Sequence, residues 1–258
     1  MNTSSLATSD IFSDLENLAT LPALGLVVPP SNPTVEPEIA RLIPTGARQF
    51  VSRLSVMPDT TLEQRNRAYI AAYAPAIQAF GSLKLSAITI GLTGPSYRFG
   101  PQGDARLAAD LSAKAATYVE TASGAIRAAL AALKAKRICL FSPYPQWLTD
   151  EAASYWTAAG FEIAQVIKVS EVFRAYELTV DEVREALRGV DASRCDAIVM
   201  SGTGMITLPA MIGRADIAIP MLSSNLCCAW WMMKAANIAP GAIFSAASPG
   251  LARDLAQG

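Results

Sequence analysis

The sequence predicts an α/β protein of two pseudo-symmetric lobes, each a short parallel sheet flanked by helices, with a cleft between them. Three observations carry that expectation. Short apolar runs alternate with longer Ala-rich or amphipathic segments, the pattern of buried parallel strands and their crossover helices. Two of those runs end in similar turns, AITIGLTGPS at 87–96 and AIVMSGTGMI at 197–206, 110 residues apart by the numbering. The strand-like runs also stop in small polar loops (PPSN, GLTGPS, SPY, SGTGM and SSN), and parallel sheets bind ligands at such carboxyl ends.

Residues 1–22 are read as an N-terminal tail. ALGLVVPPSN is then an apolar run stopped by Pro29 and Pro30, as expected of a buried strand ending in a loop. TLEQRNRAYIAAYAPAIQAF has helical spacing with a cap signal near Thr60 and Thr61, and leads into the strand LSAITIG and the first Thr-Gly turn. GDARLAADLSAKAATYVETASGAIRAALAALKA carries acids early and bases late, and predicts two helices with a break near 117–123. RICLFSPY is a strand and turn, LTDEAASYWTAAG a helix closed by Gly160, and FEIAQVIKV a strand. TVDEVREALRGV is a helix with a capping signal at Thr179, and DAIVMSG a strand into the second turn. IAIPMLSSN is a strand into a loop, and LCCAWWMMKAANI a buried or amphipathic helix in which 230–233 is a core stripe. Residues 23–117 with 225–258 are expected to form the first lobe, and 118–224 the second.

At 258 residues, 52% hydrophobic and 17% charged, the chain is globular in composition. The apolar region 197–233 is broken by Pro209, Arg214, Asp216 and Pro220, so no clean run of about 20 apolar residues is available to span a bilayer. A net charge of −1 without a Lys/Arg cluster leaves no footprint for nucleic acid or an anionic membrane. The polar, acidic start has neither the basic nor the apolar region of a secretory signal, so a soluble, cytoplasmic protein is expected. The chain contains no histidine, which excludes Ser-His-Asp and Cys-His catalysis and the commonest zinc ligand. Its four cysteines, Cys139, Cys195, Cys227 and Cys228, have neither metal nor redox spacing. Any acid or base must be Tyr, Cys, Lys, Asp or Glu.

A Thr-Gly turn after a strand exposes successive backbone N–H groups, and two facing turns would cage a carboxylate or a developing enediolate. Tyr144, in the stiff loop SPYPQW with Ser142, can donate to an anion or protonate a carbanion; a loop tyrosine also serves as a packing residue. Asn32 and Asn225 each follow a strand-terminal Ser and can orient a carboxylate, or act as turn and cap residues. Cys227 and Cys228 open a helix, whose N-terminus favours a thiolate, although a Cys before Ala-Trp-Trp-Met-Met equally reads as a small core hydrophobe.

Taken together, GLVVPPSNPTVEPEIARLIP, the two Thr-Gly turns, FSPY and SSN resemble the aspartate/glutamate racemase superfamily, and within it the branch of arylmalonate decarboxylase and maleate cis-trans isomerase. The resemblance covers roughly residues 22–245. PPSNPTVEPE is similar to the isomerase-type opening, whereas SGTGMITLPAM and SYR look more like the decarboxylase. It implies a cofactor-free, metal-free site between the lobes, with a cysteine in the first loop, the second, or both. Those positions match Leu92 and Gly202, so both thiols are missing. The resemblance carries the anion cage onto Thr93, Gly94, Thr203, Gly204 and Tyr144, with Asn32, Ser142 and Asn225 beside it and Leu92, Pro95, Met205 and Ile206 as apolar walls. Without thiols, two-base racemisation and thiol addition to an alkene lose their reagent. Decarboxylation of a substituted malonate is then the leading expectation, with a maleate-type or other enolate-forming isomerase and a non-catalytic carboxylate-binding protein as alternatives. The proton would come from Tyr144, water, Cys227 or Cys228. The expected ligand is a small carboxylic acid or dicarboxylate, and the expected assembly a monomer or small homo-oligomer.

Overall fold

Both halves of the chain order their strands in the same way. The structure, a computed structural model, describes residues 18–214 and 216–257. Most of the expected N-terminal tail lies outside those residues; within them, Leu18–Thr20 form a single 3-10 turn. The first sheet contains β1 (Ala23–Val28), β2 (Arg48–Arg53), β3 (Ala87–Ile90) and β4 (Tyr118–Thr121), in the order β2-β1-β3-β4. The second contains β5 (Arg137–Ser142), β6 (Glu162–Lys168), β7 (Ala197–Met200) and β8 (Met221–Ser223), in the order β6-β5-β7-β8. Every pairing is parallel. The two Thr-Gly turns therefore leave equivalent strands, β3 and β7. The inner strands β1, β3 and β7 are buried at every residue, which is why they read as unbroken apolar runs.

The helices are α1 (Val35–Leu42), α2 (Leu62–Gln78), α3 (Gly94–Ala115), α4 (Ala122–Ala132), α5 (Gln146–Ala158), α6 (Val180–Leu187), α7 (Leu208–Met211), α8 (Ser224–Ala235), α9 (Ala242–Ala247) and α10 (Pro249–Gln257). Thr61 and Gln64 form a reciprocal capping box at the start of α2, and Thr179 and Glu182 another at the start of α6, as their sequences predict. The long Ala-rich segment does hold two helices, α3 and α4.

Four features depart from the sequence reading. The break between α3 and α4 is a strand, β4, paired with β3; the first sheet thus extends past the boundary expected at 117. α3 begins at Gly94, directly on the first turn, and is interrupted at Gly100. β2 and α1 carry no strong sequence signal: β2 is an edge strand with arginine at both ends and one buried residue. β8 is only the three residues Met221–Ser223.

One hydrophobic core runs through both lobes, with Trp156, Tyr155, Phe141 and Phe244 among its largest members. Helix α8 returns the chain from β8 to the first lobe and packs against α4, α1 and β3. Trp230, Met232 and Met233 are buried within it as the core stripe expected. A second cluster, built on Tyr69, Tyr73 and Ile77 of α2 and Phe80 just beyond it, covers the outer face of the first sheet.

Two buried polar groups reinforce this frame. Glu38 of α1 accepts from Thr207 N at 2.6 Å, Leu208 N at 2.7 Å, Thr207 Oγ1 at 2.7 Å and Asn225 Nδ2 at 2.8 Å. It is a first-lobe carboxylate seated at the start of α7; burial pushes its pKa up, and the four donors pull it back. Asp104 of α3, fully buried, accepts from Thr121 Oγ1 at 2.9 Å and from Tyr155 Oη of α5 at 2.8 Å. Beside it, Glu120 is pushed up to about 7 by burial.

Two predictions follow from these groups. Glu38→Ala strands three buried N–H donors, at about 1–3 kcal/mol each, and a urea titration should show a loss of about 3 kcal/mol or more; Glu38→Gln should lose less. The raised pKa of Glu120 means that its neutral form is favoured in the folded state. Its contribution is therefore complete below about 4.5, the ordinary value, and is lost as pH rises through about 7. Glu120→Gln should raise the melting temperature relative to wild type at pH 8 and have little effect at pH 5.

Candidate active site

A cavity of about 230 Å³ lies at the carboxyl ends of the strands, between the two Thr-Gly turns. The first turn contributes Leu92, Thr93, Gly94 and Pro95; the second contributes Gly202, Thr203 and Gly204; the β1 loop contributes Pro29–Asn32. Tyr144, Leu148 and Phe173 close it from the second lobe. The first half of α2 and the loop before it supply Met57, Leu62, Arg65, Asn66 and Tyr69.

The two turns look alike in sequence but their threonines do different work. Thr93 Oγ1 lies 2.7 Å from Tyr144 Oη, a hydroxyl pair that joins the lobes within the cavity. Thr203 Oγ1 donates to Gly91 O at 2.8 Å and accepts from Asn32 Nδ2 at 3.0 Å. Its proton is therefore committed to the opposite turn, and it acts as a tether. The backbone N–H groups of Thr93, Gly94, Thr203 and Gly204 donate to no protein acceptor among the described residues. Buried amides are nearly always paired, so four without a protein acceptor in residues that line one cavity are donors left free for a ligand.

Tyr144 is held by its surroundings. Its N–H donates to Ser142 Oγ at 3.3 Å, and Ser142 Oγ in turn pairs with Thr149 Oγ1 at 2.8 Å. Its ring stacks on Phe173 at 6.2 Å and meets Tyr97 edge-on at 6.5 Å. Burial raises its pKa well above the ordinary tyrosine value, so the phenol is neutral and can donate a hydrogen bond. Gly202 has φ +84°, the left-handed region that favours glycine, and a Cβ there would stand 3.1 Å from Tyr144 Oη. Position 202 is thus shaped for a residue without a side chain.

The structure sorts the sequence candidates. Thr93, Tyr144, Gly94, Gly202, Thr203, Gly204, Leu92 and Asn32 all line the cavity. Asn32, however, spends its carbonyl oxygen on Thr34 N at 2.9 Å and Val35 N at 3.0 Å, a turn at the start of α1. Ser142 and Asn225 are not in the cavity wall; Ser142 sets the Tyr144 loop, and Asn225 Nδ2 braces the second turn through Thr203 O at 3.1 Å. Cys227 and Cys228 are not brought to the cleft either. Both are fully buried inside α8, where burial pushes Cys228 up to about 12 and raises Cys227 well above the ordinary thiol value. They pack as small hydrophobes. Leu92 and Pro95 do form apolar wall, whereas Met205 and Ile206 do not reach the cavity.

Arg65, Asn66, Tyr69 and Phe173 also line the cavity and were not singled out by the sequence. The available signal was Asn66, a poor helix former inside a strongly helical stretch.

The chain is similar throughout to proteins of known activity. A family model described as arylmalonate decarboxylase matches residues 24–246. A maleate isomerase of Nocardia farcinica is 29% identical over 238 residues, covering 85% of this chain and 93% of that protein. A maleate isomerase of Geobacillus stearothermophilus is 29% identical over 240 residues, covering 83% and 92%. Among solved structures, the maleate cis-trans isomerase of Nocardia farcinica, as a cysteine-to-serine mutant with a covalently bound succinylcysteine intermediate, superposes with TM-score 0.76 at 25% identity, over 92% of this chain and 99% of that one. Arylmalonate decarboxylase itself superposes with TM-score 0.73 at 19% identity, over 86% and 97%. Two parallel sheets with one cleft, two Thr-Gly turns on equivalent strands, and a family match over most of the chain lead to one conclusion: the protein belongs to the arylmalonate decarboxylase family, whose similar members are decarboxylases and isomerases.

Proposed function

We propose that the chain is a cofactor-independent lyase that removes one carboxylate from a substituted malonate by stabilising an enediolate between its lobes. The observation that carries this reading is the cage: four unpaired amides and the Thr93–Tyr144 hydroxyl pair converge on a cavity in which no cysteine is a lining residue.

One carboxylate of the substrate sits in the cage, against the amides of Thr93, Gly94, Thr203 and Gly204. The other faces the apolar wall of Leu92, Leu148 and Phe173, where charge is poorly solvated. The bond from the α-carbon to this second carboxylate breaks and CO₂ leaves. The electron pair stays on the α-carbon and delocalises into the caged carboxylate as an enediolate, whose extra charge the amides and Thr93 or Tyr144 stabilise. A proton from Tyr144, replaced from water, then adds to the α-carbon, so that one proton is consumed per CO₂ released. The Tyr144 phenol is neutral throughout the neutral range, so this proton is present when the enediolate forms.

Cis-trans isomerisation of an unsaturated diacid is the second reading. It is favoured by the maleate isomerases at 29% identity, and it shares the enediolate. Thiol addition to the alkene, which a succinylcysteine intermediate implies for the Nocardia farcinica enzyme, has no nucleophile among this cavity's lining residues. A purely binding role has less support, because the family's members are enzymes.

Proton NMR in D₂O with alkyl- and arylmalonates beside maleate separates the readings. Deuterium at the α-carbon of a decarboxylated product supports the lyase, fumarate from maleate supports the isomerase, and neither product from any substrate overturns both. On the substrate that turns over, Tyr144→Phe and Thr93→Ala should each lower kcat by about 10²- to 10³-fold, the usual cost of one oxyanion donor, while KM changes less. An unchanged kcat in both variants would refute the assignment of the cage.

A further inference from the structure

The α2 wall of the cavity carries a charge and an amide that the reaction above does not use. Arg65 is half-buried and is the only charged lining residue. Its Nη1 donates to Thr60 O at 3.1 Å, and among the described residues the side chain forms no ion pair and no other hydrogen bond. Its neighbours Arg53, Arg67 and Arg98, by contrast, are all paired with glutamates. Asn66, one residue on, is 95% buried by its 5% exposure, and its Nδ2 has no hydrogen-bond partner. That amide abuts the first turn: a Cβ on Gly94 would lie 2.8 Å from Asn66 Nδ2, so only glycine lets the two meet. Tyr69, one helical turn beyond Arg65, adds a hydroxyl with no hydrogen-bond partner among the described residues.

A buried amide donor is costly unless something accepts from it, and the half-buried guanidinium beside it has donors free for an anion. Both line the same cavity, on the same turn of α2, next to a cage that already accounts for one carboxylate. A carboxylate destined to leave as CO₂ would be held back by an arginine, because the cation stabilises the ground state more than the transition state. The group at Arg65 must therefore be one that survives the reaction.

We propose that Arg65 and Asn66 form a subsite for a second, non-reacting carboxylate, so that the substrate is a small acid bearing a spectator carboxylate on the substituent of its reacting carbon. The proposal rests on the enediolate reading for the position of the first carboxylate. The guanidinium supplies a forked, permanently charged donor and Asn66 a neutral one, a combination suited to a planar carboxylate. Leu62 and Leu92, which line the same cavity, suit a short hydrocarbon spacer.

Titration calorimetry at low salt with matched saturated acids tests this, using glutarate against butyrate and succinate against propionate as non-reacting probes. Wild type should bind at least one diacid about tenfold or more tighter than its matched monoacid, the usual scale of a charged hydrogen bond. Arg65→Met should remove that preference and leave monoacid affinity unchanged, and Arg65→Lys should restore part of it. Equal affinity for both acids in wild type, or equal losses for both in Arg65→Met, would overturn the subsite. Tyr144→Phe reports separately on the underlying reading, since it should weaken both acids alike. A diacid preference lost in Arg65→Met, with the affinities for both acids unchanged in Tyr144→Phe, would keep the subsite and remove the cage. The reverse would keep the cage and remove the subsite.

Discussion

The site depends on a chain of buried hydrogen bonds by which the first lobe holds the second Thr-Gly turn. Asn32 donates to the Thr203 hydroxyl, Thr203 donates to Gly91 O, and Thr34 Oγ1 donates to Gly204 O at 2.8 Å. Glu38 then fixes the segment that follows, through Thr207, Leu208 and Asn225. Each of these groups is buried and would be costly unpaired, so the network forms only when the lobes are docked in one arrangement. The geometry of the cage is thereby coupled to the packing of the whole molecule, and its amides are preorganised, as stabilisation of developing charge requires.

Duplication supplies the cleft, and divergence of the two halves makes it usable. The equivalent strands β3 and β7 deliver equivalent turns, yet one threonine presents its hydroxyl to Tyr144 and the other is consumed in tethering. A symmetric cage would bind an anion equally on either side. The asymmetry places hydroxyl donors on one side and tethered backbone on the other. It also leaves the α2 wall, with Arg65 and Asn66, on the side of the first turn. The polar groups of the cage are amides, threonine and a buried tyrosine, and the chain contains no histidine.

The interior polar residues are concentrated where elements from different lobes meet. Tyr97 Oη pairs with Ser201 Oγ at 2.7 Å, Asp104 with Tyr155, and Glu38 with Thr207. Around them, the aromatic cluster of Tyr97, Tyr144, Tyr155 and Trp156 packs edge to face, with Tyr97 and Tyr155 at 5.4 Å and Tyr155 and Trp156 at 5.1 Å. Apolar packing supplies the bulk of the stabilisation, and the polar pairs fix the register of one lobe on the other.

The sequence by itself determined the class of fold and the floor of the site. Strands buried on both faces must be apolar throughout, so β1, β3, β5 and β7 are visible as runs, and Gly and Thr at their ends mark the turns. The paired turns and Tyr144 were legible for that reason. Edge strand β2 and strand β4 were not, because their residues satisfy no strong local period and are held by pairing to a neighbour, while β8 was legible as a strand but proved only three residues long. The tertiary structure alone decided which candidates reach the cavity. Asn225, Ser142 and the two adjacent cysteines have the right chemistry but spend it on packing and bracing, whereas Arg65 and Asn66 sit in an ordinary-looking helix that folding lays against the first turn. Local sequence encodes periodicity and capping; which side chain remains unpaired beside a ligand is fixed only by contacts between distant segments.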